Sequence, residues 1–108
     1  MKDDRLYLIH IKECIERIDS YLSDADRHKF FNSTLLQDAV IRNLQILAES
    51  TQHLSDETKE SRPDIDWYRI AGFRNILVHD YLGLDLDTVW NITVNEMPML
   101  KKAIEEML

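Results

Sequence analysis

The run Arg74-Asn75-Ile76-Leu77-Val78-His79-Asp80-Tyr81 brings a permanent cation, an amide, a titratable imidazole and a phenol onto one predicted helix. With these groups a phosphodiester can be cleaved without a metal. An imidazole takes a proton from a ribose 2′-hydroxyl, or returns one to the leaving oxygen, near neutral pH, and a guanidinium neutralises charge building on the phosphoryl oxygens. At about 100° per residue, Asn75 and His79 stand one turn apart on a face shared with Tyr68, so the amide can orient the imidazole. Arg74 is about 140° from His79 around an ideal helix, too far for both to meet one phosphate. Two solutions are open at this point: the helix distorts near His79, or a second copy of the motif lines the same cleft.

Each of these residues also has a plainer use. A single helical His is commonly solvated or structural, and a Tyr at a helix end is commonly a half-buried packing residue. Arg74 shares an arc with Trp67, Leu77 and Tyr81, and a charge on an apolar arc needs a partner. Asp38 is the expected carboxylate, pairing with Arg74 or with Arg42 on its own helix. Arg27, Lys29 and Arg42 are candidate RNA contacts, the first two because Arg27-His28-Lys29-Phe30-Phe31 mixes cations and rings in what reads as a loop. The plainer reading of that loop is a Phe pair closing the end of the core.

The chain is expected to fold as one domain, its 108 residues giving one modest core and no separate cofactor-binding unit. Its 13 Lys and Arg against 20 Asp and Glu leave a net charge of −7. That balance argues against coating nucleic acid over a wide surface, so any RNA contact is local or shared with a second subunit. No apolar leader follows Met1, and no apolar run approaches the roughly 20 residues a membrane helix requires, so a cytoplasmic location is expected. Cys14 is the only cysteine and falls among Ile11, Ile15 and Ile18, where a buried, inert thiol is expected. The four His residues show no metal-ligand spacing; neither a metal nor another cofactor is expected.

The elements that must position the motif read as helices. Leu8, Ile11, Ile15, Ile18 and Leu22 repeat at spacings of 3 and 4, giving a first helix from about Asp3 to Tyr21 or Leu22. Leu36, Val40, Leu44 and Leu47 mark a second from about Ser33 to Leu54, capped by Asn32 or Ser33. Ser55 starts a short helix that ends before Pro63. Asp66 caps the motif helix, expected to reach about Asp80 with Gly83 as its stop. Asp87 is the expected cap of a segment carrying Val89, Trp90 and Ile92, and helix resumes near Asn95 with Pro98 in its first turn. The sum is an all-α antiparallel bundle of four main helices plus short ones.

Arg, four residues, His, any residue, Tyr, with Asn directly after the Arg, resembles the motif of HEPN-domain ribonucleases, in particular HepT toxins paired with a minimal nucleotidyltransferase antitoxin. The flanks agree: Gln37-Asp38-Ala39-Val40-Ile41-Arg42-Asn43-Leu44 resembles the family's second helix, and Pro63-Asp64-Ile65-Asp66-Trp67 its lead-in to the motif. Tyr81-Leu82-Gly83-Leu84-Asp85, Val89-Trp90, Met97-Pro98 and Leu100 resemble its closing region. Ala48-Glu49-Ser50 stands where many relatives carry Gly-Glu-Ala, a departure that touches packing rather than chemistry. The resemblance implies a homodimer with its cleft at the interface, cutting RNA with His79 as general acid/base, Arg74 as transition-state clamp and Asn75 as orienter. It also implies that Tyr81 accepts AMP from the partner nucleotidyltransferase, which silences the nuclease. Two rival readings are a non-catalytic module that binds a nucleotidyltransferase or a nucleotide, and a structural dimerisation domain in which a carboxylate of the same chain fully consumes Arg74.

Overall fold

The computed structural model describes residues 3–79 and 85–108, with residues 75–79 described through their backbone alone. The helices in chain order are α1 (Asp4–Leu22), α2 (Arg27–Phe31), α3 (Thr34–Gln52), α4 (Asp56–Glu60), α5 (Trp67–His79) and α6 (Leu86–Asn91); a π turn (Ile92–Glu96) then leads directly into α7 (Met97–Met107). No strand forms among the described residues. The fold is the expected all-α bundle, with α1, α3, α5 and α7 as its main helices.

The apolar stripes explain the packing. Ile11, Ile15 and Ile18 of α1, Val40, Leu44 and Leu47 of α3, Phe73 of α5 and Ile104 of α7 are all buried in one core. Burying each such aliphatic or aromatic side chain contributes about 1.5–3 kcal/mol. Helix α3 packs against both α1 and α5, and α7 packs against α1. Cys14 is buried in the same core, and burial pushes its thiol above the ordinary value, as an inert packing residue requires.

Three boundaries differ from the sequence expectation. Arg27–Phe31 is a helix and not a loop: Asp26 caps it by accepting from the Lys29 N–H at 2.8 Å, and Gln37 Nε2 donates to the Phe30 and Phe31 carbonyls at 3.0 and 3.2 Å. A single turn has no room for an apolar stripe, so periodicity could not reveal it. Asp85, not Asp87, caps α6; its carboxylate accepts from the N–H groups of Asp87 and Thr88 and from the Thr88 hydroxyl at 2.7 Å. Finally, the break expected before Asn95 is a π turn, in which the Met97 N–H reaches Ile92 O five residues back. Pro98 has no N–H, and its ring would clash with the Val94 carbonyl in a continuous α-helix. Widening the preceding turn accommodates it and leaves Pro98 in the first turn of α7 as expected.

The start of α5 is fixed from several directions. Asp66 caps it by accepting from the Arg69 N–H at 3.0 Å. Trp67 Nε1 donates to the Lys59 and Arg62 carbonyls at 3.0 and 3.2 Å, which ties α5 to the end of α4. The start of α4 is tied to α1 in turn, because the Asp4 carboxylate accepts from both the N–H and the hydroxyl of Ser55. Among the described residues no helix is long and apolar enough to cross a membrane.

Candidate functional site

Helix α5 carries the motif, and its register decides how the motif residues are displayed. Ile70 and Phe73 are buried, so they define the core side. Tyr68 and Gly72 lie on the opposite side: Tyr68 is 90% exposed, and a Cβ built on Gly72 meets no atom of the described residues within 4 Å. Positions 75 and 79 continue the register of 68 and 72, so the backbone of Asn75 and His79 belongs to this outer face. The helix is α-helical without interruption from Trp67 to His79. No distortion of the backbone brings His79 round to Arg74, and the angular separation expected of an ideal helix holds. Tyr81 lies outside the described residues, as do Asp80 and the expected stop at Gly83.

Arg74 leaves α5 along its edge and reaches α3. Its Nη1 pairs with Glu49 Oε1 at 3.2 Å and with Gln52 Oε1 at 3.5 Å, and the side chain remains 50% exposed. The carboxylate partner is therefore Glu49, and the expected Asp38 makes no ion pair with Arg74 or Arg42 among the described residues. Asp38 is three turns before Glu49 on the exposed face of α3, too far along the axis to serve. The sequence reading gave Glu49 no role of its own, yet it is the residue that holds Arg74. The structural-domain reading required Arg74 to be fully consumed; it is half open.

Around this pair lies an open groove lined by Tyr7, Gln45, Ile46, Glu49, His53 and Arg74. The second oxygen of Glu49 meets His53 Nε2 at 3.4 Å, and the His53 ring stacks on Tyr7 with centroids 4.8 Å apart and 12° between planes. Neither ring carried a motif in the sequence. The available signal was the stripe Arg42, Gln45, Glu49, His53, whose spacings of 3, 4 and 4 put four polar groups on one line of a helix.

Of the candidate RNA contacts, Arg27 is already engaged. It pairs with Asp87, and its guanidinium carbon sits 4.4 Å over the Phe31 ring. Phe30 is fully buried, so the loop's plainer reading, closure of the core end, is what the structure supports. Lys29 and Arg42 are exposed, Lys29 on α2 and Arg42 on the polar line of α3.

Comparison with known proteins places this geometry. The family of HepT-like ribonucleases matches residues 11–107. A Methanocaldococcus jannaschii protein whose name joins a gamma-glutamylcyclotransferase to an RNase assignment is 39% identical over 99% of this chain, which spans 48% of that longer protein. A Thermococcus cleftensis protein named as a probable ribonuclease HepT is 32% identical, with 94% of this chain and 92% of that protein covered. The mRNA nuclease HepT of Shewanella oneidensis is 29% identical, with 88% of each covered. No solved structure matches the chain. The chain belongs to the HepT-like ribonuclease family, and the enzyme class expected from the sequence, a ribonuclease, stands.

Proposed function

We propose that this chain is a metal-independent endoribonuclease, the toxin of a pair with a minimal nucleotidyltransferase antitoxin, and that it works as a homodimer. The observation that carries the reading is the placement of Arg74: a half-exposed guanidinium, oriented by Glu49, at the edge of an uninterrupted helix whose outer face includes the position of His79. Since one helix holds the two about 140° apart, a second copy supplies the complement, with His79 of one subunit working opposite Arg74 of the other. The exposed Tyr68 and the open space at Gly72 suit a close helix-to-helix contact across that face.

In this mechanism His79 removes the proton of a ribose 2′-hydroxyl, the 2′-oxygen forms a bond to the adjacent phosphorus, and the bond from phosphorus to the 5′-oxygen breaks. The leaving 5′-oxygen takes a proton, and a 2′,3′-cyclic phosphate remains. Arg74 stabilises the charge gathering on the phosphoryl oxygens, and Asn75 orients the imidazole. Tyr81 is the acceptor of AMP, whose bulk and negative charge oppose an incoming RNA backbone. The name of the Shewanella relative favours mRNA as the substrate class.

The test is cleavage of single-stranded RNA in excess EDTA, with a 2′-deoxy oligonucleotide of the same sequence as control. RNA is cut to cyclic-phosphate ends, the DNA is left intact, and His79→Ala abolishes cleavage while helical content is kept. Strict dependence on added magnesium, or equal cleavage by His79→Ala, removes the mechanism. Co-expression with the cognate minimal nucleotidyltransferase silences the wild type with a mass gain of whole AMP units; Tyr81→Phe cleaves RNA and escapes silencing. Neutralisation of Tyr81→Phe to the wild-type extent assigns inhibition to binding alone.

A further inference from the structure

The groove beside Arg74 contains more than a phosphate clamp. Tyr7 comes from α1 and His53 from the end of α3, and their rings lie nearly parallel at 4.8 Å. Tyr7 is half-buried against the core, so it is a fixed backing for His53, whose side chain is 50% exposed. Glu49 sits between this stack and Arg74, one oxygen on each. Thus a ring with one side backed and half its area open stands one carboxylate away from the guanidinium assigned to the scissile phosphate.

We propose that the Tyr7–His53 stack is a nucleobase subsite, which holds the base of a nucleotide next to the scissile phosphate. This deepens the nuclease reading and rests on it. A flat ring with a fixed backing is what a base stacks on, and such contacts are sequence-tolerant because every base has a π-face. Glu49 links the two functions mechanically, since it sets the position of the stacking ring and of the phosphate-facing cation together. Arg42 extends the track: it lies on the line of Glu49 and His53, seven residues and about 10 Å from Glu49 along the helix axis. There it takes a backbone phosphate further along the strand. A track this narrow fits a protein whose net charge is −7, because contact with RNA is confined to a groove and not spread over the surface.

The test measures binding of 2′-O-methyl oligoribonucleotides of A, C and U to the full-length chain by fluorescence anisotropy. These ligands lack the 2′-hydroxyl nucleophile, so affinity is read whether or not the chain cleaves. His53→Ala weakens binding roughly tenfold and narrows the spread among the three bases, whereas His53→Phe, which keeps a stacking ring, restores affinity. Arg42→Gln weakens all three equally and lowers the salt dependence of log K by about 0.7. The subsite is overturned if His53→Ala binds all three ligands as the wild type does, or if it changes only the oligomeric mass in light scattering, which assigns the stack to a protein contact. The two readings fail separately: loss of affinity in His53→Ala with no RNA cleavage by the wild type removes the nuclease mechanism and supports the subsite. Cleavage in EDTA with His53→Ala indifferent in affinity and base preference does the reverse.

Discussion

Arg69 and Arg74 stand five residues apart on α5, and each meets a glutamate of another helical segment. Arg69 forms a bidentate pair with Glu96 of the π turn, Nε and Nη2 meeting the two carboxylate oxygens at 2.8 and 2.6 Å. Arg74 reaches Glu49 through a single nitrogen at 3.2 Å, and Glu49 shares its other oxygen with His53. The planar fork of Arg69 matches a carboxylate at both ends and is spent on holding α5 to the chain that returns after the motif. Arg74 is aimed, not locked. Two cations of one helix thus serve different ends, and contact geometry separates them where residue type does not.

The sharpest way to break this comparison is to remove each in turn. Arg74→Ala lowers kcat/KM for RNA at least about a hundredfold, the order expected when one donor to a transition-state oxyanion is lost. Its melting temperature barely moves, because the side chain is half exposed and held by a weak pair. Arg69→Ala shows the opposite pattern: cleavage close to wild type, with stability lowered by about 1 kcal/mol, the upper range for an exposed pair of good geometry. Paired activity and thermal melts on the two variants check this. Equal activity losses would make Arg74 one more structural cation.

The second comparison is between the edge of α5, where Arg74 leaves, and its outer face, which Tyr68 and Gly72 mark as open. Gly72→Trp is tolerated by the fold, since a Cβ at the position meets no atom of the described residues within 4 Å, and replacing glycine in a helix interior with tryptophan favours the helix by about 0.5 kcal/mol. If two copies meet on this face, the bulky ring holds them apart. The variant then runs as a monomer in light scattering, with intact helical content and cleavage lowered about tenfold or more at micromolar concentration. A stable, active dimer of Gly72→Trp would move the contact elsewhere.

Much of this arrangement was legible in the sequence, for physical reasons. The long helices α1 and α3 carry apolar repeats over about three to four turns, and such stripes specify both the helix and its buried side. The caps at Ser33, Ser55 and Asp66 follow from side chains that satisfy the first N–H groups locally. What was not legible depended on long-range partners. Asp85 and Asp87 are both good caps by composition, and the choice falls on Asp85 because Asp87 faces Arg27, sixty positions away in the chain. Likewise, nothing local tells Glu49 from Asp38 as the partner of Arg74; the packing of α3 on α5 selects the one at the right height. The Tyr7–His53 stack joins α1 to α3, and no short window of sequence contains both rings.

The same pair of aspartates gives the smallest and most specific effect. The hydroxyl and N–H of Thr88 hold the Asp85 carboxyl below the usual carboxylate range, with the N–H of Asp87 adding to them. A carboxylate whose folded-state value is depressed stabilises the fold fully above its unfolded value, near pH 4, and loses that contribution as pH falls through the folded value. Asp85→Ala removes the cap of α6 and lowers Tm by a few degrees at neutral pH, whereas Asp87→Ala removes only an exposed ion pair to Arg27 and shifts Tm less. As pH falls below about 4, where the unfolded chain begins to bind the proton, and on through the lower folded-state value, the cap's contribution is lost, so the gap between wild type and Asp85→Ala narrows. Thermal melts of the three proteins from pH 7 to pH 3 check the sign: a gap that widens on acidification, or an Asp87→Ala loss larger than that of Asp85→Ala, would return the cap to Asp87. The effect is remote from α5 in kind as well as size, because α6 belongs to the return of the chain and its cap touches neither Arg69 nor Arg74.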